Sequence, residues 1–205
     1  MAVTSWNPHT TAVVCVECQN GVLGAESVLP VLAADSADLV ENVRRLLDAA
    51  RAFGARVVHA TYEGSLGGQP TGTARLWRVL GPATADWRPG SPETSVIPAL
   101  LGQEDLVLPR HHGLFPTLDS ELLPVLKGLG VTTVVLAGVS LNLAITHTAG
   151  HVTQAGFDLV VPRDGVGGTP ASYAKQVLDN TIAVLGRLVT VDQLVDEWGA
   201  LQGGR

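Results

Sequence analysis

The sequence predicts an α/β fold: a single doubly wound domain with a mainly parallel sheet of about six strands and helices on both faces. Apolar runs of strand length recur along the 205 residues, and each is followed by a segment with helical period. The runs are continuously hydrophobic, which is typical of parallel strands covered on both faces. A chain of this length fits one domain, and we assign residues 1–205 to it.

Six short apolar runs mark the expected strands. They cover residues 11–17, 56–61, 105–108, 131–137, 157–161 and 187–190. The period of the intervening segments predicts helices over residues 37–53, about 118–129, from about 141, about 170–185 and from Asp192. For the first of these helices, Asp35 or Ser36 is the expected N-cap and Gly54 the expected stop.

Residues 63–98 form the irregular part of the chain, with several glycines and prolines and the tryptophans Trp77 and Trp87. A connection of this length inside a compact domain usually has a function or contacts another subunit. We therefore expect this loop to close a pocket or to reach a neighbouring subunit.

Composition excludes several kinds of partner. The net charge is −6 and no basic run occurs, which argues against nucleic acid and anionic membrane surfaces. No run of 18 apolar residues exists, and the first ten residues show no leader. Cys15 and Cys18 are the only cysteines, so we expect a reducing, cytoplasmic setting. In an extended strand they would point to opposite faces and could not pair with each other.

Polar side chains follow the predicted strands at their carboxyl ends, where doubly wound folds bind their ligands. The candidates are Glu17 and Gln19 after the first strand, Tyr62 after the second, Arg110, His111 and His112 after the third, and Ser140 and Asn142 after the fourth. A small-molecule substrate is therefore the expected partner.

Glu17 ends an apolar strand, where a carboxylate is costly unless it is paired or protonated. This position favours a role as general acid or base. The alternative is a structural glutamate that caps the backbone or pairs with an arginine. Gln19 and Tyr62 are assigned to substrate binding beside it.

Residues 108–113 contain the densest set of chemically active side chains. Arg110 could bind an anionic group, and His111 or His112 could carry a proton. Because adjacent residues of an extended chain point in opposite directions, we expect only one of the two histidines to face the pocket. No metal site is predicted, since this tract has no carboxylate at ligand spacing.

Ser140 joins a buried strand to a helix whose first backbone N–H groups would stabilise an oxyanion. A nucleophilic serine at such a turn is normally followed two residues later by glycine. Asn142 stands at that position instead, so we assign Ser140 and Asn142 to substrate binding.

Several segments, in order, resemble the isochorismatase-like hydrolases, also called cysteine hydrolases, over about residues 11–195. They are residues 14–20, 89–90, 97–98, 105–108, 129–140, 155–157 and 162–164. The resemblance implies this same α/β fold and a metal-independent hydrolase, so we expect no cofactor. It also implies a cis peptide bond between Val139 and Ser140.

The family's catalytic residues are an Asp, a Lys and a nucleophilic Cys, and the chain departs from all three. Glu17 stands at the Asp position, Arg110 or Pro109 at the Lys position, and Ala144 at the Cys position. Ala144 is therefore assigned to substrate binding and excludes a covalent intermediate there. Isochorismatases proper are similar in lacking the cysteine, and they cleave a vinyl ether by acid catalysis.

Three functions remain open. The first is a hydrolase for a small anionic or amide-bearing metabolite, with Glu17 as acid or base, Arg110 as the anion-binding group and His111 or His112 as a proton carrier. The second is an inactive relative that binds a ligand or regulates a partner. The third is a biosynthetic enzyme that uses the same pocket for elimination or isomerisation. We favour the first, which requires Glu17, Arg110 and a histidine to meet in one pocket.

We predict that the chain forms a homodimer or a larger homo-oligomer. Trp77 and Trp87 lie in the long loop, where an isolated monomer would expose apolar patches. Light scattering at micromolar concentration should give at least twice the 21.3 kDa mass of one chain. A monomeric mass would contradict this prediction.

Overall fold

A sheet of seven strands, all paired in parallel, forms the centre of the fold. The computed structural model describes residues 6–67 and 71–203. Its strands are β1 (Thr11–Val16), β2 (Arg56–Tyr62), β3 (Leu106–Arg110), β4 (Thr133–Val139), β5 (Asp158–Pro162), β6 (Val166–Gly167) and β7 (Arg187–Val189). Their order is β3-β2-β1-β4-β5-β7, with β6 paired to β4. The predicted α/β class is confirmed.

Most strand bounds lie within one or two residues of the sequence expectation, and β3 and β6 show the differences that matter most. β3 extends through Pro109 to Arg110, whereas the predicted run stops at residue 108. Pro109 is tolerated because β3 is an edge strand that pairs only with β2. Arg110 is therefore the last residue of a strand rather than part of the following loop. β6 has only two residues, too few to give a periodic signal.

Eight α-helices accompany these strands in the described part of the chain. They are α1 (Asn20–Leu23), α2 (Pro30–Asp35), α3 (Leu39–Phe53), α4 (Trp77–Ala83), α5 (Leu122–Gly128), α6 (Thr146–Gln154), α7 (Ala171–Asn180) and α8 (Val191–Gly203). A π-helical turn, Leu141–Ile145, leads directly into α6. The helices α1, α2 and α4 were not predicted. No helix among the described residues is long and apolar enough to cross a membrane.

The helix α3 shows how local sequence sets these boundaries. It ends as predicted, because Gly54 adopts φ +82° and donates its N–H to Ala50 O. Its N-cap is Asp38, whereas Asp35 or Ser36 was predicted. The prediction was wrong because Asp35 already ends the separate helix α2 and Ser36 is its C-cap.

Two apolar layers cover the two faces of the sheet. One lies under α3 and α8 and contains Val13, Leu46 and Trp198. The other lies under α5, α6 and α7 and contains Val14, Leu136 and Val152. Alternate residues of β1 and β4 enter opposite layers, so both strands are buried on each face.

The direction of winding changes between β1 and β4, the two central strands. Successive strands β1, β2 and β3 move outward on one side, while β4 begins the other side. Gly138 allows these strands to approach closely at their carboxyl ends: a Cβ there would lie 2.2 Å from Val16 O. Ligands of doubly wound folds bind at this reversal of strand order.

The loop 63–98 is more ordered than predicted, because it contains α4. Residues 68–70 of this loop lie outside the described residues. Residues 1–5, on which part of the expectation about a leader depends, lie outside them as well. Trp77 and Trp87 are buried within the chain, at 9% and 5% exposure. The argument that they would create exposed patches was therefore wrong, and oligomerisation stays a prediction without that support.

Cys15 and Cys18 lie in the same apolar layer, which corrects the expectation that they point to opposite faces. Both are free thiols. Glu17 explains the difference, because its left-handed backbone (φ +53°) ends the extended alternation between the two cysteines. A hydrogen bond with Cys18, together with burial, raises the pKa of Cys15 well above its ordinary value.

A polar network is buried at the amino end of β3. Arg51 Nη2 and His59 Nε2 lie 2.7 Å and 3.0 Å from Asp105 Oδ2, which also accepts the Gly102 N–H. Burial alone would raise the pKa of Asp105, but the hydrogen bonds from Arg51, Gly102 and His59 outweigh it and lower the pKa. For His59, burial lowers the pKa and outweighs the opposite effect of Asp105.

We predict that His59 makes the fold less stable as pH falls below about 6.5. The unfolded chain binds a proton on this imidazole near that pH, whereas the folded chain binds it only at lower pH. The free energy of unfolding should therefore fall on acidification, by at most about 1.4 kcal/mol per pH unit. The Asp105 contribution is lost only at still lower pH, through the lowered pKa of the folded carboxyl.

Urea unfolding of His59→Gln between pH 7 and 5 measures this effect, because glutamine can still hydrogen-bond to Asp105 but does not titrate. The variant should lose less stability over this interval than the unmodified protein. His147→Gln, at an exposed position on α6, controls for the loss of a histidine elsewhere. A profile for His59→Gln as steep as that of the unmodified protein would contradict the prediction.

Candidate active site

A cavity opens at the carboxyl edge of the sheet, beside the reversal of strand order between β1 and β4. The cavity and its open mouth together enclose about 570 Å³ of space, part of it open solvent. Strand ends supply its polar wall, through Glu17, Tyr62, Arg110 and Ser140. The segments after β1 and β2 supply most of its apolar wall.

Glu17 and Arg110 form a buried ion pair in this cavity. Arg110 Nη2 donates a hydrogen bond to Glu17 Oε1, and the two side chains are 3% and 17% exposed. Such a charge-assisted hydrogen bond holds the two side chains in a fixed mutual position. Glu17 Oε2 accepts no hydrogen bond from the residues that the structure describes, so this oxygen remains available to a ligand or water.

The backbone of Glu17 also marks the site. Its φ of +53° is uncommon for a residue with a side chain. Its N–H still donates to Ala60 O at 3.0 Å, so the residue is fixed to β2 as the chain leaves β1. Such conformations cost about 1–3 kcal/mol and cluster at functional sites.

Arg110 is held from two further directions. Its Nε donates to Gly113 O at 3.3 Å, and its guanidinium lies 5.3 Å from the centroid of the Tyr62 ring. Its Nη1 is buried without a partner among the described residues. Because buried donors are normally paired, this nitrogen is the clearest donor left for a ligand.

Gln19 supports the site without lining the cavity. Its side-chain Nε2 donates to Tyr62 O and Thr94 O at 2.9 and 2.6 Å, and its Oε1 accepts the Tyr62 N–H at 2.8 Å. The amide is fully buried and its polar atoms are occupied. Gln19 therefore fixes the end of β2, which differs from the predicted direct contact with substrate.

Tyr62 lines the cavity as predicted and packs against two tryptophans. Its ring centroid lies 5.5 Å from that of Trp77 and 6.0 Å from that of Trp87, both at tilted angles. Burial raises the pKa of its phenol. The three rings form a rigid aromatic wall next to Arg110.

Ser140 and Ala144 line the cavity at the start of the helical segment that continues into α6. The Val139–Ser140 peptide bond is cis, which confirms the expectation from the family resemblance. The Ser140 hydroxyl has no hydrogen bond to a histidine or carboxylate within residues 6–67 and 71–203. No general base therefore activates it as a nucleophile.

His111, His112 and Asn142 do not line the cavity. His111 Nδ1 lies 3.0 Å from Gly64 O, while His112 Nε2 is buried without a described partner. Asn142 Oδ1 is likewise buried and unpaired among the described residues. The structure thus brings Glu17 and Arg110 together but places neither predicted histidine with them, because β3 ends at Arg110 and the chain turns away.

The apolar half of the site was missed by the sequence analysis. Leu32 on α2 and Leu80 on α4 line the cavity together with Trp77 and Trp87. These helices are too short to give a clear periodic signal. The available signal was the pair of tryptophans in the loop 63–98, which was expected either to close a pocket or to reach a neighbouring subunit, and the first alternative agrees with their place on the cavity wall.

The site can bind and polarise a small molecule and can transfer a proton through Glu17. No cysteine lies among the described lining residues: Ala144 carries no reactive group, and both cysteines pack in the core rather than on the cavity wall. Within the described residues, no group of three or more His, Cys, Asp or Glu is arranged to hold a metal ion.

A family model described as "Isochorismatase domain" matches residues 11–193. Maleamate amidohydrolase of Pseudomonas putida is 28% identical over 85% of this chain and 81% of its own length. An uncharacterised isochorismatase family protein of Escherichia coli O157:H7, YecD, is 28% identical over 48% of this chain. The matched region spans about half of that relative, 53% of its length.

A cysteine hydrolase from Pseudomonas syringae pv. phaseolicola shares the fold in its crystal structure. The TM-score is 0.79 at 21% identity, covering 96% of this chain and 95% of that one. At this identity the likeness supports the fold alone.

We predict that iodoacetamide does not modify Cys15 or Cys18 in the folded protein. Both thiols are buried, and the raised pKa of Cys15 disfavours its reactive thiolate. Mass spectrometry should show alkylation at least about 100-fold slower than in unfolded chain, because the core must open first. Protein unfolded in guanidinium chloride is the control, and rapid modification of Cys18 in the native protein would contradict the prediction.

Proposed function

The chain belongs to the isochorismatase family of hydrolases, and we propose that it hydrolyses the amide bond of a small metabolite without a covalent enzyme intermediate. The observation that carries the proposal is the Glu17–Arg110 ion pair, which stands in a cavity whose wall has Ala144 at the position of the family's nucleophile. The alignment with a maleamate amidohydrolase supports an amide as the reacting group.

Glu17 acts first as the general base in this proposal. Its carboxylate, through the unoccupied Oε2, removes a proton from a water molecule as the water oxygen attacks the amide carbon. The proton then passes from Glu17 to the amide nitrogen as the C–N bond breaks. The products are a carboxylic acid and an amine or ammonia, and Glu17 returns to its ionised form.

Two groups stabilise the negative charge that develops on the carbonyl oxygen of the amide. Arg110 presents the buried Nη1 that has no described partner. The backbone N–H groups after Ser140 begin the helical segment beside the cavity, where the helix dipole favours negative charge. Arg110 keeps its proton throughout, since a guanidinium cannot act as an acid here.

A ligand-binding protein without catalytic activity is the second candidate. It is favoured by one observation: both predicted histidines lie off the cavity, so the arrangement required for proton transfer through a histidine is missing. The two candidates differ in a single respect, which is whether Glu17 transfers a proton.

We predict that Glu17→Gln lowers kcat for amide hydrolysis by about 10²- to 10⁴-fold, because it keeps the shape of the side chain but removes the base. Ammonia release from a panel of small primary amides measures the rate. Arg110→Lys should instead raise KM first, since a point charge replaces a forked donor.

Circular dichroism and thermal unfolding of each variant control for loss of fold. Full activity of folded Glu17→Gln would contradict the mechanism. Absence of turnover by the unmodified protein, combined with saturable binding of an amide, would support the non-catalytic alternative.

A further inference from the structure

We infer that the site takes an uncharged carboxamide with an apolar acyl chain of intermediate length, rather than a compact anionic metabolite. This inference rests on the proposed function for the identity of the amide head group. Two independent features carry it: the internal charge balance of the cavity and the aliphatic character of its wall.

The charged side chains that line the cavity sum to a net charge of zero. Glu17 and Arg110 are the only charged side chains among its described lining residues, and they neutralise each other. A substrate carboxylate would compete with Glu17 for the same guanidinium and would lie beside a like charge. A neutral amide avoids this repulsion and can still accept a hydrogen bond from Arg110.

The wall opposite the ion pair is aliphatic. It is formed by residues that follow β1 and by one face of α4, namely Val22, Val28, Leu29, Leu32, Leu76 and Leu80. Thr84, a polar residue of this region, donates its hydroxyl proton to Leu80 O at 2.8 Å, so this hydroxyl has no donor left for a ligand. A substituent that needs a hydrogen-bond donor here would lose its hydration without gaining a partner, whereas each buried methylene should tighten binding about fourfold.

The arrangement of the two walls sets the direction of the acyl chain. The aliphatic wall continues from the aromatic wall of Tyr62, Trp77 and Trp87, so one ligand can place its amide at Arg110 and its chain along α2 and α4. The structure thus assigns recognition of the head group to the ion pair and recognition of the chain to Leu29, Leu32 and Leu80.

Binding of acetamide, butanamide, hexanamide and hexanoate tests this directly. Trp77 and Trp87 line the cavity, so tryptophan fluorescence titration reports occupancy without turnover. We expect hexanamide to bind about 16-fold more tightly than butanamide, which has two methylenes fewer, and more tightly than hexanoate. Glu17→Gln leaves the Arg110 charge unpaired and should reverse the preference, so that hexanoate binds more tightly than hexanamide.

A matched pair of variants tests the wall. Leu29→Trp, which places a large ring on the aliphatic side, should remove the advantage of hexanamide over butanamide. Val31→Trp, two residues away and 66% exposed, should keep it. Thermal unfolding shows whether each variant is folded, and the chain-length series on the unmodified protein decides the question even where a variant is not.

The outcomes separate this inference from the proposed function. Tighter binding of hexanoate or of the half-amide maleamate by the unmodified protein, or affinity independent of chain length, overturns the inference. Ammonia release from maleamate without release from hexanamide overturns it as well, while the proposed hydrolase stands. Chain-length-dependent binding with no ammonia release from any amide refutes the proposed function and leaves the binding preference established.

Discussion

The close contact of β1 with β4 is the constraint on which the site depends. Gly138 lets β4 approach Val16 without steric overlap, and the winding of the sheet reverses between these two strands. The chain leaves β1 at Glu17 and leaves β4 at Ser140, so the two departing segments diverge around one space. The carboxylate and the start of a long helical segment therefore face each other across the cavity.

The chemistry proposed for the site follows from the three positions, Glu17, Arg110 and Ala144, at which the family resemblance implies a departure from the Asp, Lys and Cys pattern. A guanidinium, in place of an amine that can lose its proton, gives the carboxylate a partner that always stays charged. Ala144 removes the group that would form a covalent bond. Among the described residues that line the cavity, Glu17 is the one carboxylate, and the proposed mechanism assigns proton transfer to it and recognition to the rest of the wall.

Much of the fold was predictable because its strands are long, apolar and buried on both faces, and the strand ends of β1, β2 and β4 followed directly. The favoured function required Glu17, Arg110 and a histidine to meet in one pocket; Glu17 and Arg110 do meet there, but neither histidine joins them. The positions of His111 and His112 could not be derived, since they depend on how far β3 continues past Pro109. The aliphatic wall was missed because α1, α2 and α4 have too few residues for a period to emerge, and their form depends on contacts with distant parts of the chain.

The short helices of the wall imply how the cavity admits its ligand. A helix of six or seven residues has almost no stability of its own, so α2 and α4 keep their shape by packing on the aromatic and aliphatic side chains around the cavity. An empty cavity leaves part of that packing unmade. Binding of a ligand would therefore order the wall as well as fill the cavity. The burial of apolar surface would give a negative heat-capacity change on binding. Amide hydrogen exchange would slow in α2 and α4, while the central strands would already be protected.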